Sequence, residues 1–178
     1  IELHLALPGR HNVANAAAAT AAALAVGAAP EAIVSGLERM RPVPGRLEVK
    51  TIDGDICIID DTYNANPASL QAALEVLAAH PGRHWLVLGD MAELGDEARA
   101  YHRQVAQLVR DYGVDRLLTI GELSRLTTTS FGEGAHHHAS MDALIASLRA
   151  SLEPHTTVLV KGSRSMGLER VVAALTSE

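Results

Sequence analysis

Short apolar runs alternate with longer amphipathic stretches from residue 56 to the end of the sequence. The runs have the length and composition of strands, and the stretches between them have the length of helices. The predicted strands are ICII (56–59), HWLVLG (84–89), DRLLTIG (115–121) and TTVLVKG (156–162). Strands that alternate with helices form βαβ units, whose right-handed crossovers place helices on both faces of a mostly parallel sheet. The pattern therefore predicts an α/β domain with a Rossmann-like sheet.

A hairpin precedes these units. The segment LEVKTIDGDICIID (47–60) contains two apolar stretches separated by Asp53 and Gly54, a dipeptide that favours a tight turn between antiparallel strands. No predicted strand is followed by G-x-G-x-x-G, so the pattern does not imply a dinucleotide ligand. The expected fold is a mostly parallel sheet with an N-terminal hairpin.

The first forty residues follow a different pattern. Residues 1–9 alternate between apolar and polar positions and predict a short strand. An alanine-rich helix follows, with Asn12 as its N-cap and Gly27 as its C-terminal stop. A second helix begins at Pro30, because proline is tolerated in the first turn of a helix.

The segment RPVPGR (41–46) interrupts this helical pattern with two prolines and a glycine, which is typical of a connection between domains. We therefore divide the chain into a helical tail, residues 1–45, and a Rossmann-like domain, residues 46–178. The chain has 178 residues and begins with isoleucine rather than methionine, so we expect it to be a piece of a longer polypeptide.

Composition narrows the choice of partners. The formal net charge is −6 and aromatic residues make up 3% of the chain, which disfavours general binding of nucleic acid. Cys57 is the only cysteine and lies among isoleucines, so we expect a buried thiol. No stretch has the roughly 20 apolar residues that cross a bilayer. We expect a cytoplasmic monomer that binds no nucleic acid and has no membrane span.

Three consecutive histidines, His136, His137 and His138, raise the question of a metal site. Three neighbours on one loop cannot all face the same ion without ligands from elsewhere. We therefore expect a solvated loop that leads into a helix over residues 139–152, and no metal ligands in this chain.

Polar residues gather where the predicted strands end. The clusters are DDTYN (60–64), GDMAELG (89–95), GE (121–122) and KGSRS (161–165). Because the carboxyl ends of parallel strands share one edge of a sheet, we expect these clusters to converge on one crevice, where open α/β sheets bind ligands. The alternative for any single cluster is an ordinary polar loop.

The residue types in these clusters suit a charged nucleotide. Asp61 could accept hydrogen bonds from the hydroxyls of a ribose, and Tyr63 could lie against a planar base. Arg46, in the connecting segment, could bind a phosphate through two nitrogens. Lys161 and Arg164 flank a Gly-Ser turn at a predicted helix start, where backbone N–H groups favour a carboxylate or phosphate.

Each assignment has an alternative that involves no ligand. Asn12 and Asn15 are three positions apart on one helical face and could bind the edge of a base, although Asn12 could serve only as a cap. Arg164 could pair with Glu169 and stabilise the last helix. Lys161 and Arg164 could also form an exposed basic pair on a loop.

Five segments taken in order resemble the Mur ligase family: GRHNVANAAAATAAALAVG, PVPGRLE, DDTYNANPASLQAAL, LGDMAELG and VLVKGSRSM. The resemblance covers essentially the whole chain. Its motifs are most specific to the branch that uses ATP to join D-alanyl-D-alanine to UDP-N-acetylmuramoyl-tripeptide. It implies that the chain is the end of a central ATPase domain followed by a C-terminal domain that helps bind ATP and the acceptor. The implied contacts are Asn12 and Asn15 with adenine, Arg46 with the γ-phosphate, Asp61 with the ribose beside Tyr63 and Asn64, and Asp90, Lys161, Ser163 and Arg164 with the dipeptide.

One family motif is absent. A member should carry a Gly-rich loop of the G-K-[ST] type, and the 178 residues contain none. The resemblance places this loop and the Mg²⁺ ligands upstream, so we expect the chain alone to be inactive and assign it no catalytic residue beyond the phosphate contact of Arg46. Two other functions stay open: a sister ligase with another acceptor, such as a folate-polyglutamating enzyme, and a non-catalytic module that binds a nucleotide or peptide.

Overall fold

The computed structural model describes residues 2–177. They form two compact units, one up to Val43 and the other from Pro44 onward. The first unit contains two helices, α1 (Arg10–Ala25) and α2 (Pro30–Glu38). Pro30 is the first residue of α2, in agreement with the prediction. None of the described helices is long and apolar enough to cross a membrane.

Two predictions for the first unit are wrong. Residues 2–9 form no strand, because an alternating segment becomes a strand only when another strand pairs with it. Helix α1 begins after Gly9, so Asn12 lies in its first turn, and the Asn12 side-chain amide donates to the carbonyl oxygen of Pro8 at 2.7 Å instead of capping a backbone N–H. The C-terminal stop is confirmed, since Gly27 has a φ of 83° and its N–H donates to the carbonyl of Leu24.

The second unit is built on a six-stranded sheet in the order β1–β2–β6–β3–β4–β5. Its strands are β1 (Glu48–Ile52), β2 (Ile56–Asp61), β3 (Arg83–Gly89), β4 (Arg116–Ile120), β5 (Ala135–His138) and β6 (Thr156–Lys161). Strand β1 is antiparallel to β2, and every other neighbouring pair is parallel. The predicted mostly parallel sheet with an N-terminal hairpin is confirmed.

Helices cover both faces of this sheet, as the crossover rule predicts. They are α3 (Pro67–Ala78), α4 (Ala98–Asp111), α5 (Ser124–Phe131), α6 (Met141–Ser151) and α7 (Glu169–Thr176). One core contains side chains of α3 and α4 together with Ile59 of β2. The other contains side chains of α6 and α7 together with Ile58. Neighbouring residues of one strand thus enter different cores, because side chains alternate across a sheet.

A capping box and a proline fix the start of α3. Asn66 is the N-cap, and its side-chain oxygen accepts from the N–H of Ser69 at 2.8 Å. The hydroxyl oxygen of Ser69 accepts in return from the N–H of Asn66 at 3.1 Å, which completes a capping box. Pro67 occupies the first helical position. The polar loop after β2 is therefore held firmly at its far end.

The histidine triplet does not form a loop. His136, His137 and His138 lie in β5, which pairs with β4 at the edge of the sheet. The Nδ1 atom of His137 hydrogen-bonds the hydroxyl of Thr119 at 2.9 Å. Burial, followed by the charge of Arg125, lowers the pKa of His137, although Asp90 acts in the opposite direction. Burial, the two neighbouring histidines and Arg116 lower the pKa of His138. The solvated-loop prediction failed because polar residues are tolerated in a short edge strand.

These lowered pKa values predict how stability depends on pH. The folded chain binds protons at His137 and His138 less tightly than the unfolded chain, in which the pKa is near 6.5. Their contribution to stability is therefore complete above this value and is lost as the pH falls through it toward the folded pKa. Urea unfolding followed by the fluorescence of Trp85, the only tryptophan, would measure the effect. A His137→Asn/His138→Gln double variant should lose less stability between about pH 7.5 and pH 5.5 than the wild type.

The matched control is His136→Asn, because His136 is the exposed member of the triplet. It should keep the wild-type dependence on pH. Equal slopes of the unfolding free energy against pH for the wild type and the double variant would contradict the prediction.

Candidate functional site

The loops after β2, β6, β3 and β4 meet at one edge of the sheet, since these four strands are neighbours. The N–H of Ser163, after β6, donates to the carbonyl oxygen of Asp90, after β3, at 3.0 Å. The hydroxyl oxygen of Ser163 also accepts a hydrogen bond from the N–H of Ala92, after β3, at 2.6 Å. The polar clusters after β6 and β3 are thus joined by hydrogen bonds at this edge.

A buried ion pair lies at the centre of this edge. Asp61 and Lys161 are register partners at the ends of β2 and β6. The Nζ atom of Lys161 is 2.5 Å from Oδ2 of Asp61 and also donates to the carbonyl oxygen of Asn64 at 2.9 Å. Burial lowers the pKa of the Lys161 ammonium, the Asp61 carboxylate acts to raise it, and Arg46 lowers it further. The Asp61 carboxylate therefore favours the charged form of the buried Lys161 ammonium.

The two adjacent aspartates have different surroundings. Asp60 is 5% exposed, and its Oδ1 atom accepts from the N–H and hydroxyl of Thr62 at 3.2 and 2.7 Å. The other oxygen, Oδ2, lies 3.9 Å from the ammonium of Lys50 on β1. In Asp61 the Oδ1 atom has no hydrogen-bond partner among residues 2–177, and the side chain is 13% exposed, against 7% for Asp60. Asp61 is thus the more accessible aspartate and has an oxygen that a ligand could reach.

Tyr63 lies beside this ion pair and is flanked by two guanidiniums. The guanidinium carbon of Arg46 is 4.0 Å from the centre of the Tyr63 ring, and that of Arg164 is 6.0 Å away. Both distances are within reach of a cation–π interaction. The N–H of Tyr63 donates to the carbonyl of Gly45 at 2.9 Å, which brings the connecting segment against the loop after β2. The structure thus gathers Arg46, Tyr63 and Arg164 in one place.

Arg164 has no competing partner within the described part of the chain. Its guanidinium forms no ion pair there, so the alternative pairing with Glu169 is absent. The side chain is exposed and follows directly on the turn that holds Ser163. An exposed guanidinium without a carboxylate partner is available for an anionic ligand.

Asp90 has internal partners for both carboxylate oxygens. Its Oδ1 atom accepts from the N–H of Ser124 at 2.7 Å and from the Ser124 hydroxyl, and its Oδ2 atom accepts from the N–H of Leu123 at 3.2 Å. These donors lie at the start of α5, so Asp90 caps that helix from a distance. Its predicted role in binding the acceptor stays a prediction, and any ligand would compete with these bonds.

Sequence reasoning missed two residues that support this edge. Ser124 binds Asp90 as described above, and the buried His102 accepts from the N–H of Met91 through Nε2 at 3.0 Å. The Nδ1 atom of His102 bonds the carbonyl of Ala98 at 2.7 Å. A serine at a helix start is a recognisable signal. His102 gave no signal, because it occupies one position of an ordinary amphipathic helix.

The two remaining candidates belong to the first unit. Asn12 and Asn15 lie on α1, and the side-chain amide of Asn15 donates to that of Asn12 at 3.3 Å. Their assignment to adenine stays a prediction. For metal binding, residues 2–177 contain no group of three or more His, Cys, Asp or Glu side chains that could hold an ion.

The fold and the sequence together identify the second unit as the C-terminal domain of a Mur ligase. Residues 45–164 match the family model described as "Mur ligase, glutamate ligase domain", and the chain belongs to this family. It is 46% identical over 177 residues to the UDP-N-acetylmuramoyl-tripeptide–D-alanyl-D-alanine ligase of Escherichia coli, a match that covers 98% of this chain and 39% of that protein. The corresponding ligase of Mycobacterium tuberculosis is 38% identical over 203 residues and is covered to 40%.

Solved structures agree with this relationship. A crystal structure of MurF from Acinetobacter baumannii aligns with a TM-score of 0.86 and 33% identity, over 97% of this chain and 39% of that one. MurF from Thermotoga maritima, crystallised in complex with ADP, aligns with a TM-score of 0.82 over 94% of this chain and 38% of that one. At 24% identity, this second likeness supports the fold alone. The chain thus spans about two fifths of the length of these relatives.

Proposed function

We propose that the chain is the C-terminal part of an ATP-dependent ligase that joins D-alanyl-D-alanine to UDP-N-acetylmuramoyl-tripeptide. One observation carries the proposal: a carboxylate with a free oxygen lies beside an aromatic ring flanked by two guanidiniums. Such a sheet edge suits a ligand with hydroxyls, a flat base and negative charge. The 46% identity with a ligase of this specificity, along nearly the whole chain, supports the same function.

The residues divide between the two substrates. We assign the ribose to Asp61, with Tyr63 and Asn64 beside it, and the γ-phosphate to Arg46. Arg164 binds the terminal carboxylate of the dipeptide, because its guanidinium is exposed and has no ion-pair partner among the described residues. Asn12 and Asn15, on α1, are our candidates for contact with adenine.

The proposed reaction has two steps. ATP transfers its γ-phosphoryl group to the peptide carboxylate, which gives an acyl phosphate and ADP. The amine of D-alanyl-D-alanine then attacks the acyl carbon, the amide bond forms and inorganic phosphate leaves. Positioning and charge stabilisation provide most of the catalysis in phosphoryl transfer. We place the phosphate-binding loop and the Mg²⁺ ligands upstream of this chain and assign no metal ligand to its own residues. The full-length ligase is proposed to act as a cytoplasmic monomer.

A first test compares the chain with the full-length ligase. The upstream coding sequence should contain a G-K-[ST] loop, and the full-length protein should release ADP over many turnovers only when both UDP-N-acetylmuramoyl-tripeptide and D-alanyl-D-alanine are present. The 178-residue chain alone should hydrolyse no more ATP than a heat-killed sample, because the groups that hold the phosphates are missing.

The choice of acceptor separates the ligase branches. D-Alanyl-D-alanine should support amide formation, whereas single amino acids and glutamylated folates should not. Turnover with a single amino acid instead would favour a sister ligase. ATP turnover by the chain alone, or the lack of a G-K-[ST] loop upstream, would contradict the proposal.

A further inference from the structure

Lys161 is one of only two lysines in the sequence, and it is almost completely buried. Its side chain is 1% exposed, whereas that of Lys50, on β1, is 35% exposed. A charged ammonium is rarely buried unless carboxylates and carbonyls replace the lost water. Lys161 has one of each, Asp61 Oδ2 at 2.5 Å and the carbonyl oxygen of Asn64 at 2.9 Å.

We propose that Lys161 is a positioning residue of the nucleotide site and not a ligand of the acceptor. Its ammonium fixes Oδ2 of Asp61, so that Oδ1 of the same carboxylate faces the ribose hydroxyls. The inference rests on the proposed function, because it assumes that Asp61 binds a nucleotide. It replaces the sequence-based expectation that Lys161 and Arg164 share one substrate carboxylate.

Exposure distinguishes the two basic residues. A side chain that is 1% exposed offers almost no surface to an acceptor molecule, and its ammonium is already neutralised by Asp61. Arg164 is exposed and forms no ion pair within residues 2–177. The two positive charges therefore serve different purposes: Lys161 acts on the protein's own carboxylate, and Arg164 faces outward.

The geometry also explains why a lysine suits this position. Asp61 and Lys161 face each other on neighbouring parallel strands, so the ion pair joins the carboxyl ends of β2 and β6. The bond to the Asn64 carbonyl extends the same anchor into the loop that carries Tyr63. One ammonium thus sets both the rotation of the carboxylate and the path of residues 61–64. Without it, the Asp61 carboxylate would turn toward water, and its free oxygen would no longer be held in one direction.

The test uses the full-length ligase and compares Lys161→Met with Lys50→Met. Lys50 is the matched control because its ammonium also lies beside carboxylates, Glu48 at 3.3 Å and Asp60 at 3.9 Å, but is partly exposed and lies on β1, away from Asp61. Calorimetry without the tripeptide measures the dissociation constants of ATP and of 2′,3′-dideoxy-ATP, which lacks both ribose hydroxyls. Steady-state kinetics at saturating ATP measure the KM for D-alanyl-D-alanine.

The wild type and Lys50→Met should bind ATP about tenfold or more tightly than the dideoxy analogue, the size expected for a hydrogen bond to a charged group. Lys161→Met should reduce this preference to about threefold or less by weakening ATP alone, with the dipeptide KM within about twofold of the wild type. A merely structural role would weaken both nucleotides equally, and that result would overturn the proposal. A dipeptide KM raised about tenfold with the ribose preference intact would also overturn it, as would no change in any of these values.

A second comparison covers the case in which Lys161→Met does not fold, because that variant leaves a carboxylate without its counterion. The double variant Asp61→Asn/Lys161→Met removes both charges and is compared with Asp61→Asn. The two should show the same small ribose preference and the same dipeptide KM. A dipeptide KM raised only in the double variant would overturn the proposal. The proposed function is tested separately, by whether the wild-type ligase uses D-alanyl-D-alanine as its acceptor. A ligase that does not use this acceptor could still bind ATP more tightly than its dideoxy analogue, so the two proposals can fail independently.

Discussion

Replacing Asp90 with alanine is expected to lower the free energy of unfolding of the chain by about 2 to 4 kcal/mol, since several hydrogen bonds to one charged cap are lost together. The N–H groups of Leu123 and Ser124 and the Ser124 hydroxyl all donate to this carboxylate. Alanine offers them no acceptor, and the first turn of α5 has no other side-chain cap. Urea unfolding followed through Trp85 measures the loss.

A glycine shows how closely this contact is packed. Gly121 has a φ of 116°, and a Cβ atom at this position would overlap the Asp90 carboxylate. The matched control for Asp90→Ala is Asp96→Ala, because Asp96 is exposed and should change stability by no more than about 0.5 kcal/mol. If Asp90→Ala is as stable as this control and raises the KM for the dipeptide in the full-length ligase, the result would contradict the capping role and support a role of Asp90 in binding the acceptor.

The sequence predicted those parts of the fold that depend on local patterns. Asn12 was expected to cap its helix and does not, whereas Asn66 caps α3. Asn66 is followed by Pro67 and Ser69, so three independent features agree on the same helix start. Asn12 lies in an alanine-rich stretch where no neighbour fixes the boundary, and the helix begins after Gly9. Agreement among neighbouring signals was therefore a better guide than any single residue type.

The sequence predicted where the candidate site lies, but it did not predict which residues contact each other there. The rule that strand ends share one edge brings the polar clusters together without any knowledge of strand order. The ion pair between Asp61 and Lys161 requires that β2 lie next to β6, and these residues are 100 positions apart in the chain. No local pattern encodes that neighbour relation. The sequence therefore suggested a ligand for Lys161, although its partner is another residue of the protein.

With Lys161 assigned to the proposed nucleotide site, we propose that Arg164 alone binds the dipeptide carboxylate. Three features support this role. The Arg164 guanidinium is exposed, it lies 6.0 Å from the centre of the Tyr63 ring, and it forms no ion pair in the described part of the chain. A charge-assisted bond from a guanidinium is a strong way to hold a carboxylate. The same sheet edge holds the proposed nucleotide contacts, so an acceptor bound there could present its amine to the acyl phosphate.

Arg164→Ala in the full-length ligase is therefore expected to raise the KM for D-alanyl-D-alanine about tenfold or more, equivalent to about 1.4 kcal/mol, and to leave the KM for ATP within about twofold. Arg164→Lys should recover part of the loss, because lysine keeps the charge but cannot form two parallel hydrogen bonds. The matched control is Arg170→Ala, which removes another exposed arginine whose guanidinium lies 3.4 Å from Asp142 and should leave both KM values unchanged. Steady-state kinetics with each substrate varied in turn measure the KM for ATP and the KM for the dipeptide separately. Equal losses for ATP and dipeptide, or a lower melting temperature with normal kinetics, would show that Arg164 supports the fold and does not bind the acceptor.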